Sequence, residues 1–139
     1  MPILLIVLLL STTAPLQANQ TVMMSRLVSV YDADTFRVDI TGWPSIVGEN
    51  MPVRVLGVDA PEIRGKCPQE KTQARAAKAF TLQALEAAEV VELRNLKRGK
   101  YFRFLADVYI DGENLAAMLI EQGHGRPYDG GTRQGWCPS

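Results

Sequence analysis

Four acids stand beside two turns: Asp32 and Asp34 in Asp32-Ala33-Asp34, then Asp59 and Glu62 in Val58-Asp59-Ala60-Pro61-Glu62. Carboxylates gathered on turns, with no His or Cys among them, suit a hard cation such as calcium. Pro61 keeps Ala60 extended and stops the strand there, so the acids can converge on one point. Each Asp alone fits ordinary turn chemistry equally well. Two clusters at the ends of neighbouring strands leave a metal site and plain turns both open.

The bases are as unevenly placed as the acids. Arg94, Lys97, Arg98, Lys100 and Arg103 crowd one segment without an acid, and Arg64 to Lys78 adds more bases around a single Glu70. Asp107 to Gln122 holds acids and no base. Arg54 differs from the rest, because an isolated Arg in the apolar run Val53-Arg54-Val55-Leu56 needs a partner when buried. That partner is a carboxylate or a phosphate gripped by the planar guanidinium. In Tyr101-Phe102-Arg103-Phe104, strand alternation puts Tyr101 and Arg103 on one face and turns both Phe toward the core. A Tyr beside an Arg can stack a base and hold a phosphate.

The whole chain limits these readings. It has 139 residues, with 15 Lys and Arg against 15 Asp and Glu, one His and two Cys. The length allows one domain. Zero net charge argues against coating nucleic acid by bulk electrostatics, though not against a local site sorted by sign. A single His excludes multi-histidine metal centres, and two Cys exclude a cysteine-only zinc site.

The apolar run Ile3 to Leu10 is too short to span a bilayer. With Ser11-Thr12-Thr13 and a small residue at Ala18 behind it, the run reads as a secretory signal, residues 1–18, cleaved near Ala18. The alternatives are a buried strand or an uncleaved anchor. Export, to the periplasm or the medium, makes Cys67 and Cys137 most simply a structural disulfide, two buried thiols being the other option.

Turn residues separate the strand-like segments Thr21 to Val30, Thr35 to Ile40 and Val53 to Val58. Glu70 to Glu89 is rich in helix formers, with Ala77, Phe80, Ala84 and Ala88 on an apolar face flanked by Leu82 and Leu85. Strands Val90 to Leu96 and Tyr101 to Ile110 follow, then a helix, Leu115 to Gln122, ended by Gly123. The tail from Gly125 to Ser139 reads as irregular. This order predicts a mainly β chain: a five-stranded Greek-key barrel of the OB type with helices, occupying residues 19–139 as a single domain.

The turn Asp32-Ala33-Asp34-Thr35, the strand Val53 to Val58 ending in Asp59-Ala60-Pro61-Glu62, and Lys100-Tyr101-Phe102-Arg103-Phe104-Leu105-Ala106 together resemble the staphylococcal nuclease (thermonuclease) family. Asp111-Gly112 and Glu121-Gln122-Gly123 extend the resemblance, which covers about Val22 to Tyr128. It implies an OB-type barrel and calcium-dependent hydrolysis of phosphodiester bonds in DNA and RNA, with single-stranded or frayed substrates preferred. Asp34 and Asp59 correspond to carboxylate ligands of calcium, the backbone carbonyl of Ala60 to a further ligand, and Asp32 to an acid just behind them. Glu62 corresponds to the residue that orients or deprotonates the attacking water. Arg54 and Arg103 correspond to the guanidinium pair on the scissile phosphate. Lys100, Tyr101 and Tyr128 correspond to substrate contacts. The resemblance further implies a monomer with no stable membrane insertion after cleavage. His124 reads as a surface or packing residue.

The sequence departs from the family pattern in places. Thr41 to Pro52 is longer than the family hairpin, Phe102 and Phe104 replace small residues, and the segment after Glu62 is compact. The family's C-terminal helix is absent, which suggests that a Cys67–Cys137 bridge ties down the tail instead. The competing reading is the same barrel binding nucleic acid without cutting it, although such a module has no need of Glu62. A third is an exported interaction protein working through the Thr41 to Pro52 loop.

Overall fold

The computed structural model describes residues 20–139, so the expected signal segment, residues 1–18, lies outside the described residues. Strand β1 (Val22–Asp32) turns directly into β2 (Thr35–Ile40), which pairs antiparallel with β3 (Met51–Val55). Short β4 (Gly57–Asp59) follows, then helix α2 (Pro68–Ala87), β5 (Val91–Arg98) and β6 (Phe104–Ile110). A one-turn helix, α1 (Ser45–Gly48), interrupts the β2–β3 connection. The two-residue β7 (Glu113–Asn114), α3 (Leu115–Glu121) and β8 (Arg126–Tyr128) complete the order.

β1 joins β5, β5 joins β6, and β6 closes onto β3 in parallel, with Val53 opposite Phe104 and Arg54 opposite Leu105. The result is a closed five-stranded mixed barrel, as the sequence predicts. Register shifts along β1, between Met24 and Arg26 and again between Leu27 and Ser29, give that long strand the bend a closed barrel needs. Alternation along β2 and β3 sends Phe36, Val38, Val53 and Val55 inward to meet Leu93, Val108, Leu115 and Leu119.

Several elements differ from their expected form. The run Val53 to Val58 is two strands, broken at Leu56, with Gly57 at φ +88°. The strand expected from Tyr101 begins only at Phe104, because Tyr101 and Phe102 both take left-handed conformations (φ +57° and +56°) in the turn. The shared face of Tyr101 and Arg103 therefore does not exist, and Phe102 points to solvent rather than to the core. Helix α2 stops at Ala87, since the Asp111 carboxylate captures the N–H groups of Glu89 and Val90 (3.0 and 2.8 Å). Its buried face is Ala74, Ala77, Thr81 and Leu85, while Phe80, Leu82, Ala84 and Ala88 pack at its edges. Thr81 fixes that rotation by donating its hydroxyl to the Ala33 carbonyl at 2.8 Å.

The tail is not wholly irregular. β8 pairs antiparallel with β4, Asp59 opposite Arg126, and a side chain at Gly125 would run into Val58. Cys67 and Cys137 form the expected disulfide, closing a loop over a sequence separation of 70. α3 ends as expected at Gly123 (φ +73°), where the N–H groups of Gly123 and His124 bond the carbonyls of Ile120 and Leu119. His124 packs against Phe80. Among the described residues, no helix is long and apolar enough to cross a membrane.

Two outcomes are expected from these contacts. Thr81→Val leaves the buried Ala33 carbonyl without its donor and lowers stability by about 1–3 kcal/mol in urea unfolding. Reducing the disulfide lowers stability by about 4 kcal/mol in the chain-entropy account, measured as the shift between oxidised and reduced unfolding curves.

Candidate active site

The two acid turns meet at one end of the barrel. Asp32 ends β1, Asp34 sits in the two-residue turn, and Asp59 ends β4, all of them buried. The Asp34 carboxylate accepts the Ala60 N–H at 2.9 Å through Oδ2 and the Thr35 hydroxyl at 3.1 Å through Oδ1. That first bond ties the β1–β2 turn to the end of β4 across 26 positions of chain. Arg54 rises from β3 between the two acids, with Nη1 2.7 Å from Asp34 Oδ2 and Nη2 3.5 Å from Asp59 Oδ1. Its partner is thus the carboxylate pair, one of the two options open in the sequence.

Glu62 is positioned through its backbone. Its N–H donates to Glu70 at 3.1 Å, and the next N–H, of Ile63, donates to Asp32 Oδ1 at 2.8 Å. The Gly65 N–H returns to the Glu62 carbonyl at 2.8 Å, and Lys66 N–H reaches the other Glu70 oxygen at 3.2 Å. A Cβ on Gly65 would stand 2.5 Å from the Glu70 side chain, so this turn needs glycine there. Glu70 is buried near the start of α2, whose cap is Cys67, with Pro68 at the first helical position. In the sequence Glu70 reads only as a lone acid among bases, and its role in shaping the Glu62 loop is not legible there.

Arg133 and Trp136 are the other residues the sequence does not single out. Arg133 donates from Nε to Asp59 Oδ1 and from Nη1 to Glu62 Oε1, each at 2.7 Å. Trp136 Nε1 donates to the second Asp59 oxygen at 3.2 Å, and Arg126 lies over the Trp136 ring at 3.8 Å. The Cys67–Cys137 pairing is the signal that could have found them. A bridge to the residue before α2 obliges the positions just ahead of Cys137 to lie beside the Glu62 loop.

The electrostatics follow from burial. Desolvation pushes the Asp34 carboxyl above its ordinary range, with Asp59 adding repulsion, against the opposing pull of Arg54, the Ala60 N–H and the Thr35 hydroxyl. Asp32 is raised likewise by desolvation and by the charges of Asp34 and Glu62, with the Ile63 N–H and Arg54 opposing. Burial works against the Arg133 charge, but its bonds to Glu62 and Asp59 outweigh that and hold its proton more tightly.

A cleft of about 1340 Å³ opens over these groups. Asp32, Arg54, Glu62, Arg103, Tyr128 and Arg133 line it, together with the basic turn Lys97 to Lys100. Arg103 Nε is buried without a hydrogen-bond partner among the described residues. Tyr128 donates its hydroxyl to the Gly131 carbonyl at 2.7 Å. Tyr101 is not brought into the cleft. It is 93% exposed and lines a neighbouring hollow with Lys100, Arg103 and Tyr31.

A hard cation suits this donor set in kind. Among the described residues no group of three or more His, Cys, Asp or Glu side chains is disposed to hold a metal ion. The expected set is smaller, with Asp34, Asp59 and the Ala60 carbonyl as protein ligands and water completing the shell. Both carboxylates carry buried negative charge, and Asp34 Oδ1 has only a neutral hydroxyl as partner. The residues therefore fit a divalent cation, provided that Asp59 exchanges part of its contact with Arg133.

The chain matches the family model described as "Staphylococcal nuclease homologue" over residues 52–134, more than half of its length. The matched span runs from β3 past Arg133 and includes every cleft residue named above except Asp32.

The raised Asp34 carboxyl has a consequence for stability. Folding binds the proton more tightly than the unfolded chain does, so ionised Asp34 costs stability at neutral pH, a cost that fades as pH falls through its raised value. Asp34→Asn should therefore raise the melting temperature in chelator at neutral pH while abolishing any gain on adding calcium. Differential scanning calorimetry with and without calcium reads both effects.

Proposed function

The chain belongs to the staphylococcal nuclease family, and from that membership we propose that it hydrolyses phosphodiester bonds of DNA and RNA with calcium as its resident cation. The observation that carries this reading is the Arg54 guanidinium between Asp34 and Asp59 on the floor of a cleft that also holds Glu62 and Arg103. Arg54 links the residues lining that opening to the buried acids Asp34 and Asp59, which do not themselves line it.

Asp34, Asp59 and the Ala60 carbonyl would hold the calcium ion, with Asp32 behind them. When bound, it supplies positive charge that offsets the charge gathering on the phosphate oxygens. Glu62, fixed by the Glu70 and Asp32 clamps on its loop, takes the proton from the attacking water. The water oxygen bonds to phosphorus as the bond to the leaving oxygen breaks, and negative charge collects on the equatorial oxygens. Arg54 has spare donors beyond its two carboxylate contacts, and Arg103 lines the same cleft. Donors set in place before charge develops usually make the largest catalytic contribution. Lys100, Tyr101 and Tyr128 contact the flanking substrate.

The acid turns, the compact Glu62 loop and the free guanidinium donor favour cutting over simple retention of nucleic acid. An OB surface that only binds requires stacking and a basic groove, but no buried carboxylates beneath it. The chain acts as a monomer after export to the periplasm or the medium, where its disulfide forms.

Hydrolysis of single-stranded DNA tests this. Activity is expected with calcium, disappears in chelator, and falls by about 10²–10⁴-fold in Glu62→Gln. Cleavage that persists undiminished in chelator or in that variant refutes the mechanism. Tight binding without any cleavage supports the module reading instead.

A further inference from the structure

The long β2–β3 connection, which the proposed chemistry does not use, builds a second hollow beside the cleft. Asp39 fixes this connection by accepting the Asn50 N–H at 2.8 Å and Arg26 Nε at 2.7 Å. Trp43, just ahead of α1, meets Phe104 edge-on at 5.5 Å between ring centres. Trp43, Phe102, Phe104 and Met51 wall an apolar hollow of about 280 Å³.

Its charge is one-sided. Lys97, Arg98 and Arg103 line this hollow, and the same three residues line the main cleft. No acid lines it among the described residues. The Gly99 N–H closes the turn onto the Arg103 carbonyl at 2.7 Å, and within that turn Phe102 sits at φ +56° and is 57% exposed. L-residues avoid this conformation, and aromatic ones gain nothing from it in the core. Here it sets an uncovered aromatic ring against the hollow, beside cations shared with the cleft.

We propose that this hollow is a nucleobase subsite: it seats one base of a single strand whose backbone crosses Lys97, Arg98 and Arg103 from the cleft. The inference rests on the cleft being the phosphodiester site. A base offers a flat π-face to Phe102 and Trp43, while its flanking phosphates need the positive charge that the shared residues supply. A base within a duplex is already stacked and paired and does not reach the hollow, so the subsite selects single strands or frayed ends.

Binding without turnover tests the proposal separately from catalysis. Affinities of the Glu62→Gln chain for a dinucleotide and for an oligothymidylate long enough to pass Arg103 are compared by fluorescence anisotropy, with and without Phe102→Ala. The expected result is about a tenfold loss for the longer strand, restored by Phe102→Trp, and no loss for the dinucleotide. A loss equal for both ligands overturns the subsite. So does unchanged affinity, the outcome expected if the hollow instead seats the chain's own residues ahead of Gln20. If the unsubstituted chain cuts nothing yet shows the length-dependent loss, the proposed hydrolysis fails and the subsite stands. If it cuts but shows no length dependence, the reverse holds.

Discussion

Everything at the cleft depends on holding like charges together where water is scarce. Asp34 and Asp59 are both buried and repel each other, and the hydrogen bonds of Asp34 do not cancel its desolvation. Arg54 stands between them as the resident countercharge. Removing the arginine from such a group is costly because it leaves two buried carboxylates uncompensated. Arg54 projects from a barrel strand, Asp34 sits in the β1–β2 turn and Asp59 ends β4 outside the barrel sheet, so the Asp34–Ala60 hydrogen bond and the arginine itself hold the three together.

Around that core the structure adds fixing contacts from distant parts of the chain. Thr81 of α2 holds the first acid turn by its Ala33 carbonyl, and Glu70 of the same helix holds the Glu62 loop. One helix thus sets both carboxylate turns relative to each other. The tail adds Arg133 and Trp136 from the opposite side, anchored by β8 on β4 and by the disulfide. The tail thereby covers the Asp59 and Glu62 end of the site.

Much of this is legible in the sequence, for local reasons. The acid turns, the Arg-bearing strand and the disulfide follow from residue type and spacing, because turn chemistry and strand alternation act over a few positions. Two kinds of feature are not legible. Tyr101 and Phe102 depart from alternation because the turn after β5 needs left-handed residues and contains no glycine at those positions. Arg133 finds its partners only once the chain has folded back over more than 70 positions, with the nearby Cys137 as its one local signal, and Glu70 bonds backbone N–H groups that no residue type announces. Helix α2 is similar: its periodicity is visible, but its rotation is set by one hydroxyl bond to another element.

The parallel seam between β3 and β6 has a temporal meaning as well as a spatial one. The site carboxylates all lie before it in chain order, on β1, β4 and their turns, while Arg103 and the basic turn arrive with β6. The seam is thus what sets the basic half beside the acids, whose countercharge on the earlier strands is Arg54. The two halves of the site therefore face each other only while the barrel stays shut.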